Sequence, residues 1–352
     1  MLWTLLPDHQ HESFKEYQTG RRIATACTAA TKLALLSYGG TPDTWATTRQ
    51  AWYRLAANFP TNVVADLGHL QGDEAGLLET LATLRQQHIF PILLSTTPLI
   101  VPPLVRALAA PHLHIAIADS HLDYAWGDEP PALLNQLWQL RNEAWQQLTW
   151  LGQQSYYVDN NVLAMLEQAH AELLRLGQLR QNIEEVEPVL RDVDMLGIHL
   201  GTVRYSDAPA SGRCNPSGLW SEEVCRVVRY AAMSDKLQAL ALMGFDAQAD
   251  ASGLTANLLA QMVWFVVEGF LARKQDYPLQ IEALKQYMVS IKEWDAPLTF
   301  FKSTRSERWW FGLPDWELQA ADEQAFYLVP CSYRDYVEAS DGELSERLWK
   351  RL

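Results

Sequence analysis

Asp119, His121 and Asp123 stand at alternate positions directly after the apolar run Leu113-His114-Ile115-Ala116-Ile117-Ala118. Two carboxylates and an imidazole delivered from the end of one strand are the raw material of a divalent-metal site. If extended geometry carries on past Ala118, the period of two puts all three side chains on one side. His199 follows a second apolar run, Val193 to Ile198. With the first three it would make a set of two nitrogen and two oxygen ligands, suited to Zn²⁺ or another late first-row ion, with a position open for an activated water. The competing reading needs no ion. Buried carboxylates can be satisfied by hydrogen bonds alone, and a His199 imidazolium would neutralise Asp119 or Asp123.

The elements that would hold these residues alternate in type. Short apolar runs at 32–38, 63–68, 89–94, 113–118, 193–200 and 237–243 read as strands, the first closed by the Gly39-Gly40 turn. Helical spacing fills 43–57, 76–87, 101–110, 161–182 and 255–272, and a further helix starts at Ser221 as cap with Glu223 in its first turn. Strands alternating with helices imply an α/β fold whose parallel sheet is covered on both faces. Residues 130–155 are aromatic and Gln-rich and take no assignment. No repeat, low-complexity tract or linker divides the chain.

Composition narrows the partners. The chain has 352 residues, 48% hydrophobic and 20% charged, which is globular composition with material for a substantial core. A net charge of -14 and a pI near 5.1 argue against nucleic acid or an anionic membrane as the main partner. Four cysteines without CxxC spacing indicate neither a zinc ribbon nor a redox pair. The apolar start at residues 1–6 is too short for a signal sequence, and the apolar stretch near 262–267 is interrupted by Gln261 and Glu268. A cytoplasmic protein without membrane insertion is expected. No dinucleotide fingerprint, GxSxG or HExxH motif is present.

Further stretches carry a family likeness: 182–188, Ser206-Asp207-Ala208-Pro209, Asn215-Pro216-Ser217-Gly218-Leu219, 234–237, 261–264, 268–270, 274–278, Arg308-Trp309-Trp310 and 330–336. Together with Asp119–Asp123, they make the chain resemble the ureohydrolase superfamily of arginases, agmatinases and formimidoylglutamases. The likeness is strongest to the formimidoylglutamase-like branch found in Bacteroidetes. The resemblance implies a three-layer α/β/α sandwich on a mostly parallel sheet of about eight strands. It implies two Mn²⁺ ions at the strand ends, activating a hydroxide that attacks a guanidinium or formimino carbon. It also divides the chain into an N-terminal arm (1–30), the α/β/α domain (31–295) and a C-terminal segment (296–352) packed on it.

Carried over residue by residue, that resemblance gives a damaged site. The DxHxD loop is intact as Asp119, His121 and Asp123. The GGxH loop falls on Ser95-Thr96-Thr97-Pro98, with proline in place of the ligating histidine. The SxDxD loop falls on Gly197-Ile198-His199-Leu200-Gly201, so its two aspartates become His199 and Gly201. The carboxylate that holds a guanidinium falls on Gly244.

The reading that follows is a pseudoenzyme: a ureohydrolase-fold protein that has lost dinuclear hydrolysis and serves as a binding or scaffolding component, with a protein partner or as a homo-oligomer. No cofactor is expected, or at most a single Zn or Mn ion. The alternative is a rewired metal-dependent hydrolase of C–N bonds. A scaffold should expose an aromatic patch, sought first in 126–150 and 305–316. Trp309-Trp310 otherwise reads as packing, Arg204 and Asp207 as a loop-anchoring pair, and His112 and His114 as strand-edge residues.

Overall fold

Continuous apolar strands can be buried on both faces only inside a sheet that helices cover twice. The computed structural model describes residues 3–4, 13–108, 110, 112–127, 129–141, 143–277, 284–291, 297–314 and 326–349. Its large sheet takes β1 (Trp3–Thr4), β2 (Leu33–Tyr38), β3 (Val64–Leu70), β4 (Phe90–Ser95), β5 (Leu113–Ala118), β6 (Trp145–Gln153), β7 (Glu172–Arg175), β8 (Met195–His199) and β9 (Ala239–Met243). The spatial order is β1-β3-β2-β4-β9-β8-β5-β6-β7. Eight strands are parallel and only β1 is antiparallel, on β3. Every residue of β5, β8 and β9 is buried.

Two cores sandwich the sheet. On one face Trp52, Val227, Val228, Leu259 and Val263 come from the helices Ala46–Arg54, Ser221–Ala232 and Leu254–Leu271. On the other, Leu81, Leu104, Leu137 and Leu166 come from Glu74–Gln86, Val101–Leu108, Leu133–Gln139 and Asn160–Gln168. The expected three-layer α/β/α architecture is therefore present. Leu254–Leu271 is long and apolar enough to cross a membrane, but here it is a core helix of this layer.

Some local expectations are corrected. The helix expected over 161–182 stops at Gln168, because the chain turns at His170 in the left-handed region (φ 55°). The leucines beyond it form β7 on the edge of β6, a short apolar run that fits either period. Residues 130–155 hold a helix and β6. The helix Ser221–Ala232 is capped at Trp220, whose N–H donates to the Glu223 carboxylate at 2.8 Å. His114 is no edge residue: β5 lies between β6 and β8, and the ring is buried between Thr149 and the Asp192 carbonyl.

A second sheet, antiparallel, orders β10 (Leu284–Val289), β11 (Leu298–Ser303), β12 (Trp309–Pro314) and β13 (Phe326–Cys331). It carries its own small core around Phe300, Phe311 and Val329. Arg191 ties it to the main body by donating to the Trp309 carbonyl at 2.7 Å and stacking over Trp310 at 4.8 Å. Trp309 and Trp310 are thus buried packing residues. Residues 1–2 and 5–12 of the N-terminal arm, and 296, 315–325 and 350–352 of the C-terminal segment, lie outside the described residues.

At the opposite end of the sheet from the candidate site, Asp192 is buried. Lys236 Nζ and the Tyr277 hydroxyl donate to its Oδ1 at 2.9 and 2.7 Å. Burial works to raise this carboxyl, but the His114 ring, Lys236 and Tyr277 outweigh it and hold it well below its ordinary 3.8. A depressed carboxyl contributes stability that is present above the ordinary value and lost as pH falls below it. Asp192→Asn should therefore lower stability near neutrality by about 3 kcal/mol and flatten the acid limb of a plot of chemical-denaturation stability against pH. An unchanged acid limb would show that the carboxylate does not carry this linkage.

Candidate functional site

The carboxy ends of β4, β9, β8 and β5, adjacent in the sheet, deliver Ser95, Gly244, His199 and Asp119 to one end of the sheet. This is where open parallel sheets place their chemistry. The strand does not continue past Ala118, so the alternation expected for Asp119, His121 and Asp123 is not realised. Asp119 is buried, His121 half-buried and Asp123 exposed, on an irregular loop. The Trp150 indole pins the start of that loop by donating to the Asp119 carbonyl at 3.1 Å.

The side chain that sequence reading missed is Arg213. Its Nη2 donates to Asp119 Oδ2 at 3.1 Å and to Asp123 Oδ2 at 2.5 Å, joining the two carboxylates through one guanidinium. Burial works against the charge on Arg213, but Asp119 and Asp123 outweigh it and hold the group more firmly protonated than usual. Arg213 rides on a loop closed by the Val203–Leu219 bridge. Asn215 fixes the loop by donating to Ser120 Oγ at 2.7 Å and to the Gly201 carbonyl at 3.0 Å. The expected Arg204–Asp207 pair, at 2.7 Å, anchors its other side, and Asp207 also accepts from the Ser221 N–H.

His199 reaches the same place but as a neutral ring. Its Nδ1 accepts from the Gly201 N–H at 3.0 Å, which leaves the proton on Nε2. Asp119 Oδ2 lies 3.7 Å from that Nδ1. Burial pushes the imidazole below its ordinary 6.5 more strongly than Asp119 pulls it up, and Arg213 lowers it further. The charge-balancing role expected of a His199 imidazolium is therefore taken by Arg213. His121 turns aside, its Nδ1 2.8 Å from Ser120 Oγ and its ring stacked on Tyr157 at 4.2 Å.

Gly201 and Gly244, which the resemblance sets at a metal-ligand and a substrate-carboxylate position, have a spatial reason. A Cβ at Gly201 would lie 2.5 Å from Arg213 Cδ, and one at Gly244 would lie 2.3 Å from His199 Nε2. Any side chain at 201 competes with Arg213 for space, and any at 244 competes with His199. Gly244 also has φ +86°, a conformation that L side chains rarely adopt. Pro98 starts a short 3-10 turn, capped by Thr97, whose Oγ1 accepts from the Leu99 N–H at 3.2 Å.

The aromatic residues fall differently from expectation. Trp145, Trp150, Trp309 and Trp310 are buried, so the 126–150 and 305–314 stretches expose only Trp126 as a large aromatic side chain. Other exposed rings, Tyr156, Tyr157, Tyr205 and Trp220, lie on or beside the loops that carry the site. Trp316 lies outside the described residues.

No protein-family model matches the chain, and no curated protein matches it in sequence. Solved structures do match in fold. Formiminoglutamase of Trypanosoma cruzi, solved with a pair of Mn²⁺ ions, is 14% identical with a TM-score of 0.62, over 69% of this chain and 94% of that one. Formimidoylglutamase of Bacillus subtilis is 18% identical with a TM-score of 0.61, over 69% and 88%. Agmatine ureohydrolase of Thermoplasma volcanium is 18% identical with a TM-score of 0.59, over 74% and 96%. The chain has the fold shared by these ureohydrolases.

The paired Mn²⁺ of the T. cruzi neighbour overturns the expectation of no cofactor or a single Zn or Mn ion as the pattern for this fold. The residues here do not fit such a pair. Pro98, Gly201 and Gly244 offer no side-chain donor, His199 Nδ1 is taken by a backbone N–H, and Arg213 holds Asp119 and Asp123. Among the described residues no three of His, Cys, Asp and Glu form a metal-holding group.

The space argument is testable. Gly244→Ala should cost about 2–4 kcal/mol, combining an overpacked ring contact with an unfavourable φ. Adding His199→Ala should recover the packing part and leave the backbone part. Additive losses in denaturant unfolding of the two single variants and the double would show that the residues are not coupled.

Proposed function

We propose that this chain is a ureohydrolase-fold pseudoenzyme, no longer carrying out two-manganese hydrolysis and working in the cytoplasm as a binding or scaffolding component. The observation that carries the reading is the Arg213 guanidinium joined to both Asp119 and Asp123. A two-metal mechanism needs those carboxylates free to hold cations that lower the pKa of a shared water. A guanidinium has no coordination position for water and cannot generate a hydroxide. Gly201 and Gly244 support the same reading, since neither can supply a ligand nor hold a substrate cation.

Work by contact is favoured by the exposed aromatic side chains on the site loops. Trp126, Tyr156, Tyr205 and Trp220 offer large rigid surfaces with polar tips, the composition enriched where proteins meet. Arg180 and Arg204 lie over Trp220 at 5.2 and 4.9 Å, holding one such ring in place. The partner is another protein or a further copy of this chain.

The purified chain, supplied with MnCl₂ and offered formiminoglutamate, agmatine or arginine, should release neither formamide nor urea above the protein-free control. Turnover that depends on added Mn²⁺ and disappears in Asp119→Asn would overturn the proposal.

A further inference from the structure

We infer that Arg213 is a built-in replacement for the divalent charge of this cleft: its guanidinium stands between Asp119 and Asp123 as a fixed cation, and Gly201 is the vacancy that admits it. The inference rests on the reading above and goes beyond it, because it names what holds the altered site together.

Three observations converge. Asp119 is buried, and a buried carboxylate is strongly destabilising unless paired and hydrogen-bonded. Its Oδ1 accepts only from close neighbours, the His121 N–H at 3.3 Å and the Ser120 hydroxyl at 3.4 Å. The charge partner on Oδ2 is Arg213. His199 does not serve, because its Nδ1 presents a lone pair on that side.

The cation is also permanent. Arginine stays protonated across the physiological range, so the cleft has its positive charge without capturing an ion from solution. Its position is set by a loop with independent anchors at Asn215, Arg204 and Asp207, not by the carboxylates alone.

The third observation is mutual exclusion. With Arg213 seated, a side chain at 201 would overlap its Cδ and its Nε, at 2.5 and 2.9 Å. A carboxylate at 201, as the resemblance implies for working members, and a guanidinium at this place are alternatives. Loss of one ligand and gain of the internal cation therefore form one coupled exchange.

The test compares full-length wild type, Arg213→Lys, Arg213→Met and the triple variant Arg213→Met/Asp119→Asn/Asp123→Asn by thermal unfolding at pH 7, with and without millimolar MnCl₂. Arg213→Met should melt lower by roughly 5 °C or more. Arg213→Lys should lose less, and the triple variant should regain most of the loss. Mn²⁺ should raise the melting temperature of Arg213→Met while leaving wild type and the triple variant unmoved.

If Arg213→Met does not fold, a folded triple variant supports the inference equally, since only removal of the carboxylates then relieves the lost charge. The inference is overturned if Arg213→Met matches wild type, if the triple variant is no better than Arg213→Met, or if Mn²⁺ stabilises wild type as strongly as Arg213→Met. These outcomes are separable from the proposed function, which fails on wild-type turnover whatever the variants do.

Discussion

A buried carboxylate at the end of β5 must have a cation, and the cleft is arranged around how Asp119 obtains one. Withdrawing an ionised carboxylate from water costs several kcal/mol unless charge and hydrogen bonds are supplied in its place. Formiminoglutamase of Trypanosoma cruzi, which shares this fold, was solved with paired Mn²⁺. Here the chain supplies its own cation from a loop 94 residues away in sequence. A guanidinium meets the requirement for positive charge, but only an ion with open coordination positions can activate water. Charge compensation and catalysis are thus separable properties of one place in the fold.

Space couples the individual changes. Taken singly, Gly201 and Gly244 look like erosion of a metal site. In three dimensions each glycine lies against a large polar side chain, Arg213 at one and His199 at the other. His199 then accepts from the Gly201 backbone, and Asn215 donates to the Gly201 carbonyl, so the same short segment is fixed from both sides. Asp119 accepts from Arg213, Ser120 and the His121 N–H, and His199 Nδ1 accepts from the Gly201 N–H.

What could be read beforehand follows the range of the interactions. Six of the eight parallel strands were legible because buried strands write an apolar run into contiguous residues, whereas β6 and the edge strand β7 were not. Asp119 and His199 were legible because each ends such a run, whereas Pro98, Gly201 and Gly244 stood out only through the family resemblance. Arg213 was not, since nothing local distinguishes a loop arginine that pairs with distant carboxylates from one that faces solvent. Its only signal was a charge argument: Asp119 and Asp123 had lost partners, and a positive side chain had to come from somewhere. The neutral state of His199 was hidden for a related reason, because it depends on a backbone N–H two residues on and on burial. The helix expected through 161–182 failed where a left-handed His170 breaks an otherwise compatible leucine spacing.

The fold tolerates this exchange because its stability is anchored elsewhere. The faces of β2, β4, β5, β8 and β9 are filled by two apolar cores that contain none of the site's polar groups. Buried polar networks away from the cleft serve the framework. Arg49, wholly buried, donates to Asp66 at 2.9 Å and to the Gly68 carbonyl at 2.7 Å, tying the helix Ala46–Arg54 to β3. Glu187, Arg191 and Arg308 join the second sheet to the first body. Losing a carboxylate from those networks would leave a buried cation unpaired. The strand-end loops carry a lighter structural load, so their residues can be exchanged as long as charge and volume stay balanced. The fold therefore persists whatever the strand-end loops hold, and on the proposed reading the cation at Asp119, not the architecture, sets this chain apart.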